Sequence, residues 1–299
     1  MTPLRSITIA VLAACLETAG TAFASQRGAA HEAAYWKEVI AHDYAVPAGA
    51  TASALARELA GHLGDADPQW RDEIAATVLT EWIGRKTLPV DEVRAFIPGW
   101  LADMKNGAGA APSNATLRRS YAALMLAQVI NRHNAEAFLS AAEFSAIASA
   151  ALDYLAAERD VRGYDDRLGW IHSAAHTADL LRAIARSPSS SAAMQPRVLD
   201  AIGRKLRTAD AVFVCGEDER FARAIAMLLI RDDFQLDAFK AWVAAVTMPA
   251  SGPVSVASLR ASQNVKNTLA KLGVLLARQP SLPPPAAAAK DAVLAAVKF

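Results

Sequence analysis

Apolar positions recur along this chain at helical spacing. Ile74, Val78, Leu79, Trp82 and Ile83 are four, one, three and one residues apart, which places them on one helical stripe. Asp67-Pro68 opens that stripe as an N-cap followed by Pro at the first helical position, where the missing N–H costs nothing. Pro89 with Asp91 and Glu92 starts the next helix, its acids near the positive end of the dipole. Leu117, Tyr121, Leu124 and Gln128 share one face of another. Ser140 and Glu143 form a capping box ahead of Phe144, Ile147 and Leu152. The pattern predicts further helices over about 170–186, 194–207, 217–230, 233–247, 258–277 and 286–297.

The breaks between these stripes are short and carry Gly, Pro, Ser or Asn, as in Asn106 to Asn114, Ser187 to Ser191 and Pro249 to Pro253. Loops of this length join antiparallel neighbours, so successive helices are expected to pair as hairpins. No run alternates apolar and polar in the way a half-buried strand requires. No strict repeat is visible. The expected fold class is therefore all-α: an α/α superhelix, a degenerate HEAT-like stack of antiparallel helical hairpins. Residues 25–279 form the expected single helical domain. Residues 280–299 are read as a Pro-rich linker, from Pro280 to Pro285, and a C-terminal helix.

Composition sharpens this picture. Hydrophobic residues make up 53% of the 299 and aromatics 7%, because much of the apolar fraction is alanine, the best helix former. A net charge of +1 argues against nucleic acid or an anionic membrane surface as partner. The basic run Arg204-Lys205-Leu206-Arg207 is short enough to be a solvated helix end. Residues 1–24 read as a signal peptide: Arg5, an apolar stretch from Ile7 to Cys15, then the A-x-A site Ala22-Phe23-Ala24. Leu12-Ala13-Ala14-Cys15 competes as a lipobox that would place a lipid on Cys15. Simple secretion is preferred, and both versions put the protein outside the cytoplasm, periplasmic or secreted. Later apolar segments are too short to cross a bilayer. Removal of the leader would leave Cys215 without a second cysteine.

One polar segment stands out, running from Glu158, Asp160, Arg162, Gly163 and Tyr164 to Gly169, Trp170, His172, His176 and Asp179. On a continuous helix, His172, His176 and Asp179 fall within about 60° of one another. Two imidazoles with a carboxylate suit a divalent metal such as zinc or iron. Ser173 stands where the H-E-x-x-H pattern needs glutamate. Glu158, Asp160, His172 and His176 are the candidates for acid–base chemistry. Arg162, Tyr164, Trp170, Glu217 and Asp218 are candidates for ligand contact. The alternative is a buried polar network in which Glu158 and Asp160 orient the histidines and Arg162 neutralises the acids. Glu217-Asp218-Glu219-Arg220 and Arg71-Asp72-Glu73 also read as helix-start capping and salt bridging. No G-x-S-x-G elbow or P-loop is present. No resident cofactor is expected beyond that metal.

These residues carry a resemblance. Tyr35-Trp36 through Tyr44 and Pro47, Arg71-Asp72-Glu73, Trp82-Ile83 and Arg119-Ser120-Tyr121 with Leu124 form its outer part. Its strongest part is Glu158-x-Asp160-x-Arg162-Gly163-Tyr164 with Gly169-Trp170-x-His172-x-x-Ala175-His176-x-Ala178-Asp179-Leu180-Leu181. Glu217 to Arg220 and Asn264-x-x-Asn267 follow. In these the chain resembles the bacterial family known as domain of unknown function 2785. The resemblance implies a helical, α/α superhelical fold and no activity. The expected function is a binding or scaffold module of the cell envelope, with an unidentified protein or small-molecule partner. The rival is a hydrolase-type enzyme, metal-dependent or not, centred on His172, His176 and Asp179.

Overall fold

The computed structural model describes residues 31–249 and 251–297. The expected leader with Cys15 lies outside them. Within them the chain is all-α, as the periodicity predicts. The helices are α1 (Ala33–Ala41), α2 (Ala52–His62), α3 (Thr77–Gly84), α4 (Val90–Lys105), α5 (Ala115–Ala135) and α6 (Ala141–Ala157). They continue with α7 (Ser173–Ala185), α8 (Met194–Thr208), α9 (Glu217–Leu229), α10 (Leu236–Thr247), α11 (Val256–Ala277) and α12 (Pro284–Ala296).

From α3 onward these helices lie in two rows. The odd row runs α3–α5–α7–α9–α11, each packed on the next, and the even row runs α4–α6–α8–α10–α12. Consecutive helices bridge the rows, α4 with α5 and α6 with α7 among them. Small side chains suit the close packing within the odd row: Ala174, Ala175, Ala178, Ala183 and Ala185 on α7, and Ala222, Ala224 and Ala226 on α9, are all buried. The capping box before α6 has both halves, with Glu143 N donating to Ser140 Oγ and Ser140 N to Glu143 Oε2. The helix α12, opened by its prolines, buries Ala286, Ala289 and Val293 and packs on α10 and α11.

Two features depart from the sequence pattern. The stripe that begins after Pro68 is π-helical over Gln69–Ala76 before it becomes α3. Its wider turn holds Arg71 fully buried. The second is a two-stranded antiparallel hairpin between α6 and α7, β1 (Tyr164–Asp165) with β2 (Gly169–Trp170). Tyr164 is opposite Trp170.

The helix α5 lies at the centre. Its flanks are buried almost all round, so its polar residues Thr116, Arg119, Ser120, Arg132 and His133 enter the interior. Buried polar groups need partners. Arg119 finds Glu158, and Ser120 finds Ile171 O, in the segment between α6 and α7.

Candidate functional site

The segment between α6 and α7 is pinned at both ends. Glu158, the last cap residue of α6, accepts from Arg119 Nε of α5 at 2.6 Å, and its other oxygen accepts from Asp160 N at 2.9 Å. Both partners of this ion pair are buried, with 2% and 4% of their side chains exposed. Lys205 Nζ of α8 closes the corner by donating to Glu158 O at 2.7 Å. The Asp160 carboxylate takes Arg162 Nε at 2.9 Å and a terminal nitrogen at 2.6 Å. Its carbonyl accepts from Ser173 Oγ at the start of α7.

Gly163 then passes against the loop before α9. A Cβ added there would lie 2.4 Å from Cys215 Cβ and 2.6 Å from Glu217 Oε1, so no other residue fits without a shift. Gly163 O accepts from Ile171 N and His172 N, which ties the hairpin's two ends together. Gly169, at φ +70°, lies against Pro68, Arg71 and Asp72. Arg71 donates to Leu168 O at 2.5 Å and to Asp65 O at 2.7 Å, and its Nε reaches Asp72 Oδ1 at 2.7 Å. Tyr121 donates its one proton to Asp72 Oδ1, and Trp170 O lies 3.2 Å from the same hydroxyl. Burial, then the Asp72 charge, push the Tyr121 phenol well above its ordinary pKa, so it stays a donor.

The histidines sit under this hairpin. His172 is the cap residue of α7, with left-handed backbone at φ 49°, and His176 lies on the first turn. Their rings meet edge to face at 5.7 Å. Partners fix both tautomers. His172 Nε2 faces Cys215 O at 3.1 Å, and a carbonyl only accepts, so that nitrogen carries the proton. His176 Nδ1 faces Ser120 Oγ at 2.9 Å. Ser120 spends its hydroxyl proton on Ile171 O at 2.5 Å, so His176 Nδ1 is the donor. Burial, then the Arg220 charge, lower the His172 pKa to about 4. Burial, then His172 and Arg220, hold His176 well below 6.5. Both rings are neutral at pH 7, each with one unprotonated nitrogen.

Several expected groupings do not form. Asp179 points to Arg220 of α9 and makes an ion pair with it, so it does not complete a triad with the histidines. Among the described residues no three His, Cys, Asp or Glu side chains are placed to hold a metal. Glu158 and Asp160 do not orient the histidines, because Arg119 and Arg162 occupy their oxygens. The orienting groups are Ser120 and Cys215 O. Arg162 does neutralise an acid, Asp160. Glu217 and Asp218, expected at a ligand surface, are buried: Glu217 accepts from Cys215 N at 2.9 Å and Asp218 from Lys271 Nζ at 2.7 Å.

Tyr164 and Trp170 are the expected ligand-contact residues that reach solvent, 51% and 42% exposed. Their rings meet at 4.8 Å, edge to face. Trp170 stacks on His172 at 4.3 Å and 25°. Arg162, with 36% of its side chain exposed, stands beside them.

The arrangement has limited chemistry. Ser120 cannot be activated by His176, because that imidazole donates to it and Ser120 is fully buried. A histidine with a pKa near 4 is a weak base at neutral pH. What the site offers is a rigid aromatic surface on a satisfied polar base. Sequence spacing missed Ser120, Tyr121, Arg71, Asp72 and Arg220 as its supports. Their signal was the presence of Arg71-Asp72, Arg119-Ser120-Tyr121 and Arg220 among the motifs of the resemblance.

Comparison with known families agrees with that resemblance. The family described as "Protein of unknown function (DUF2785)" matches residues 106–274, more than half of the chain. The match takes in α5 to most of α11 and the whole hairpin. The π-helical segment with Arg71 and Asp72 precedes it. No curated protein and no solved structure matches.

Proposed function

Because the chain belongs to the DUF2785 family, which is described only as of unknown function, we propose from its geometry that it is a non-catalytic protein-binding module, exported by its leader, with Tyr164 and Trp170 as the contact point. The exposed aromatic pair carries this reading. Trp, Tyr and Arg dominate the energetics of protein interfaces, and here Tyr164, Trp170 and Arg162 project together from a clamped hairpin. Nearly every polar group behind them is buried and bonded, so little ordering entropy would be lost on binding. Stacked helical hairpins, curved into a superhelix, would extend the surface around this point. The hydrolase alternative lacks support in this geometry, since Ser120 is locked as an acceptor of His176, Glu158 and Asp160 are taken by arginines, and Glu217 accepts from Cys215 N.

Site-specific photocrosslinking in producing cells tests the proposal. A photoreactive phenylalanine analogue at Tyr164 is expected to give a discrete protein adduct that Trp170→Ala removes. The same analogue at Val254, 81% exposed on α11's leading loop, is expected to give none. Equal adducts at both positions, or none at Tyr164, would overturn it.

A further inference from the structure

Arg182 lies two turns beyond His176 on α7, half-buried. Its Nε is buried without a hydrogen-bond partner, and among the described residues its guanidinium makes no ion pair. It lines a cavity of about 250 Å³ between α7, α9 and α11. Arg223 is the other charged lining residue, and among the described residues no carboxylate lines the space. The rest of the wall is largely apolar, with Met227, Ile230, Leu275 and Leu276, and Gln279 supplies an amide.

The local charge does not balance. Asp179 faces Arg182, Arg220 and Arg223 but is bonded by Arg220, and Glu219 is bonded by Arg223 at 2.6 Å. Arg186 lies close by, on the wall of an adjoining cavity that shares Met227 and Ile230 and also carries Asp232 and Asp233, the latter bonded by Arg231. Partial burial and then the Arg182 charge lower the Arg186 pKa. Arg186 is hydrogen-bonded to the neutral Asn131 side chain. Arg182 and Arg186 thus stand without a bonded carboxylate. A buried donor left unpaired is costly, and a planar guanidinium fork matches a carboxylate.

We propose that this cavity binds a small amphiphilic carboxylate, its head on Arg182 and Arg223 and its chain along Ile230, Leu275 and Leu276. The volume lies just below the usual range for ligand sites, which fits a compact chain and excludes a bulky one. This site is distinct from the aromatic hairpin and stands or falls separately.

Isothermal titration calorimetry on the purified chain tests it with three probes: sodium octanoate, 1-octanol and inorganic phosphate. Octanoate is expected to bind saturably, with octanol and phosphate at least about tenfold weaker, in line with the worth of a charge-assisted hydrogen bond. Arg182→Gln should weaken octanoate about tenfold without lowering the melting temperature, because no bonded partner is lost. Arg223→Gln should weaken it too, and Trp170→Ala should not. No octanoate binding, octanol binding as tightly, preference for phosphate, or unchanged affinity in folded Arg182→Gln would each overturn the proposal.

Discussion

Acid should loosen this protein through His172, and by a calculable amount. The ring is 6% exposed, donates to Cys215 O and lies under Trp170. Burial, then Arg220, lower its pKa from 6.5 to about 4. Below pH 6.5 the unfolded chain binds a proton that the folded chain refuses. Stability from this group is complete above pH 6.5 and is lost as pH falls toward 4. At pH 5 the unfolded form has gained about 1.5 units of protonation free energy, or about 2 kcal/mol. For a domain of this size that lowers the melting temperature by roughly 4–8 °C. His176 acts in the same direction. Asp179 and Glu217, whose pKa values burial raises, act in the opposite one by taking up protons more readily when folded. The measurement is therefore a comparison. His172→Asn tolerates the left-handed backbone and does not titrate, and its loss of the bond to Cys215 O lowers stability equally at both pH values. Thermal melts at pH 7 and pH 5 should show a smaller acid loss in His172→Asn than in wild type, by about 2 kcal/mol. Equal losses in the two proteins would refute the buried, neutral state assigned to His172.

Two further outcomes follow from single observations. Gly163→Ala drives a methyl into Cys215 and Glu217 and should cost about 1–3 kcal/mol of stability, measured by denaturant unfolding, with Cys215→Gly recovering part of it. A cost under about 0.5 kcal/mol would show that the loop yields freely. Mass spectrometry of protein from envelope fractions should find an N-terminus at Ser25, or a lipidated Cys15, whereas an intact Met1 there would refute both versions of the leader.

Helices were legible in this sequence because their signals are local. The helix expected over about 194–207 runs Met194–Thr208, and that expected over 217–230 runs Glu217–Leu229. The capping box at Ser140 and Glu143 needs four residues, and four residues display it. The hairpin was not legible, because strands of two residues are too short to show alternation. His172 illustrates a subtler failure. Spacing from His176 implied a common helix, but the helix begins at Ser173 and His172 turns left-handed to cap it. The rings still meet, so the pairing was right for a partly wrong reason. Asp179 had the right spacing as well. Its partner Arg220 lies on α9, and no periodicity along α7 reports what a neighbouring helix presents.

That distinction explains where ligands are expected on α7. His176, Asp179, Arg182 and Arg186 follow at intervals of three, three and four, so they form one polar stripe along the helix. Such a stripe, laid between α5 and α9 inside an alanine-rich stack, must be met residue by residue. Ser120 of α5 meets His176, and Arg220 of α9 meets Asp179. Arg182 Nε has no partner, although Arg223 and α11 close around the space, and Arg186 beyond it is met only by the neutral Asn131 side chain. The satisfied half of the stripe holds the aromatic hairpin rigid and has no chemical capacity to spare. The unsatisfied half retains hydrogen-bonding capacity that the protein itself does not use. One helix thus supports two separable surfaces, an aromatic one at its N-terminal end and a cationic one a few turns later.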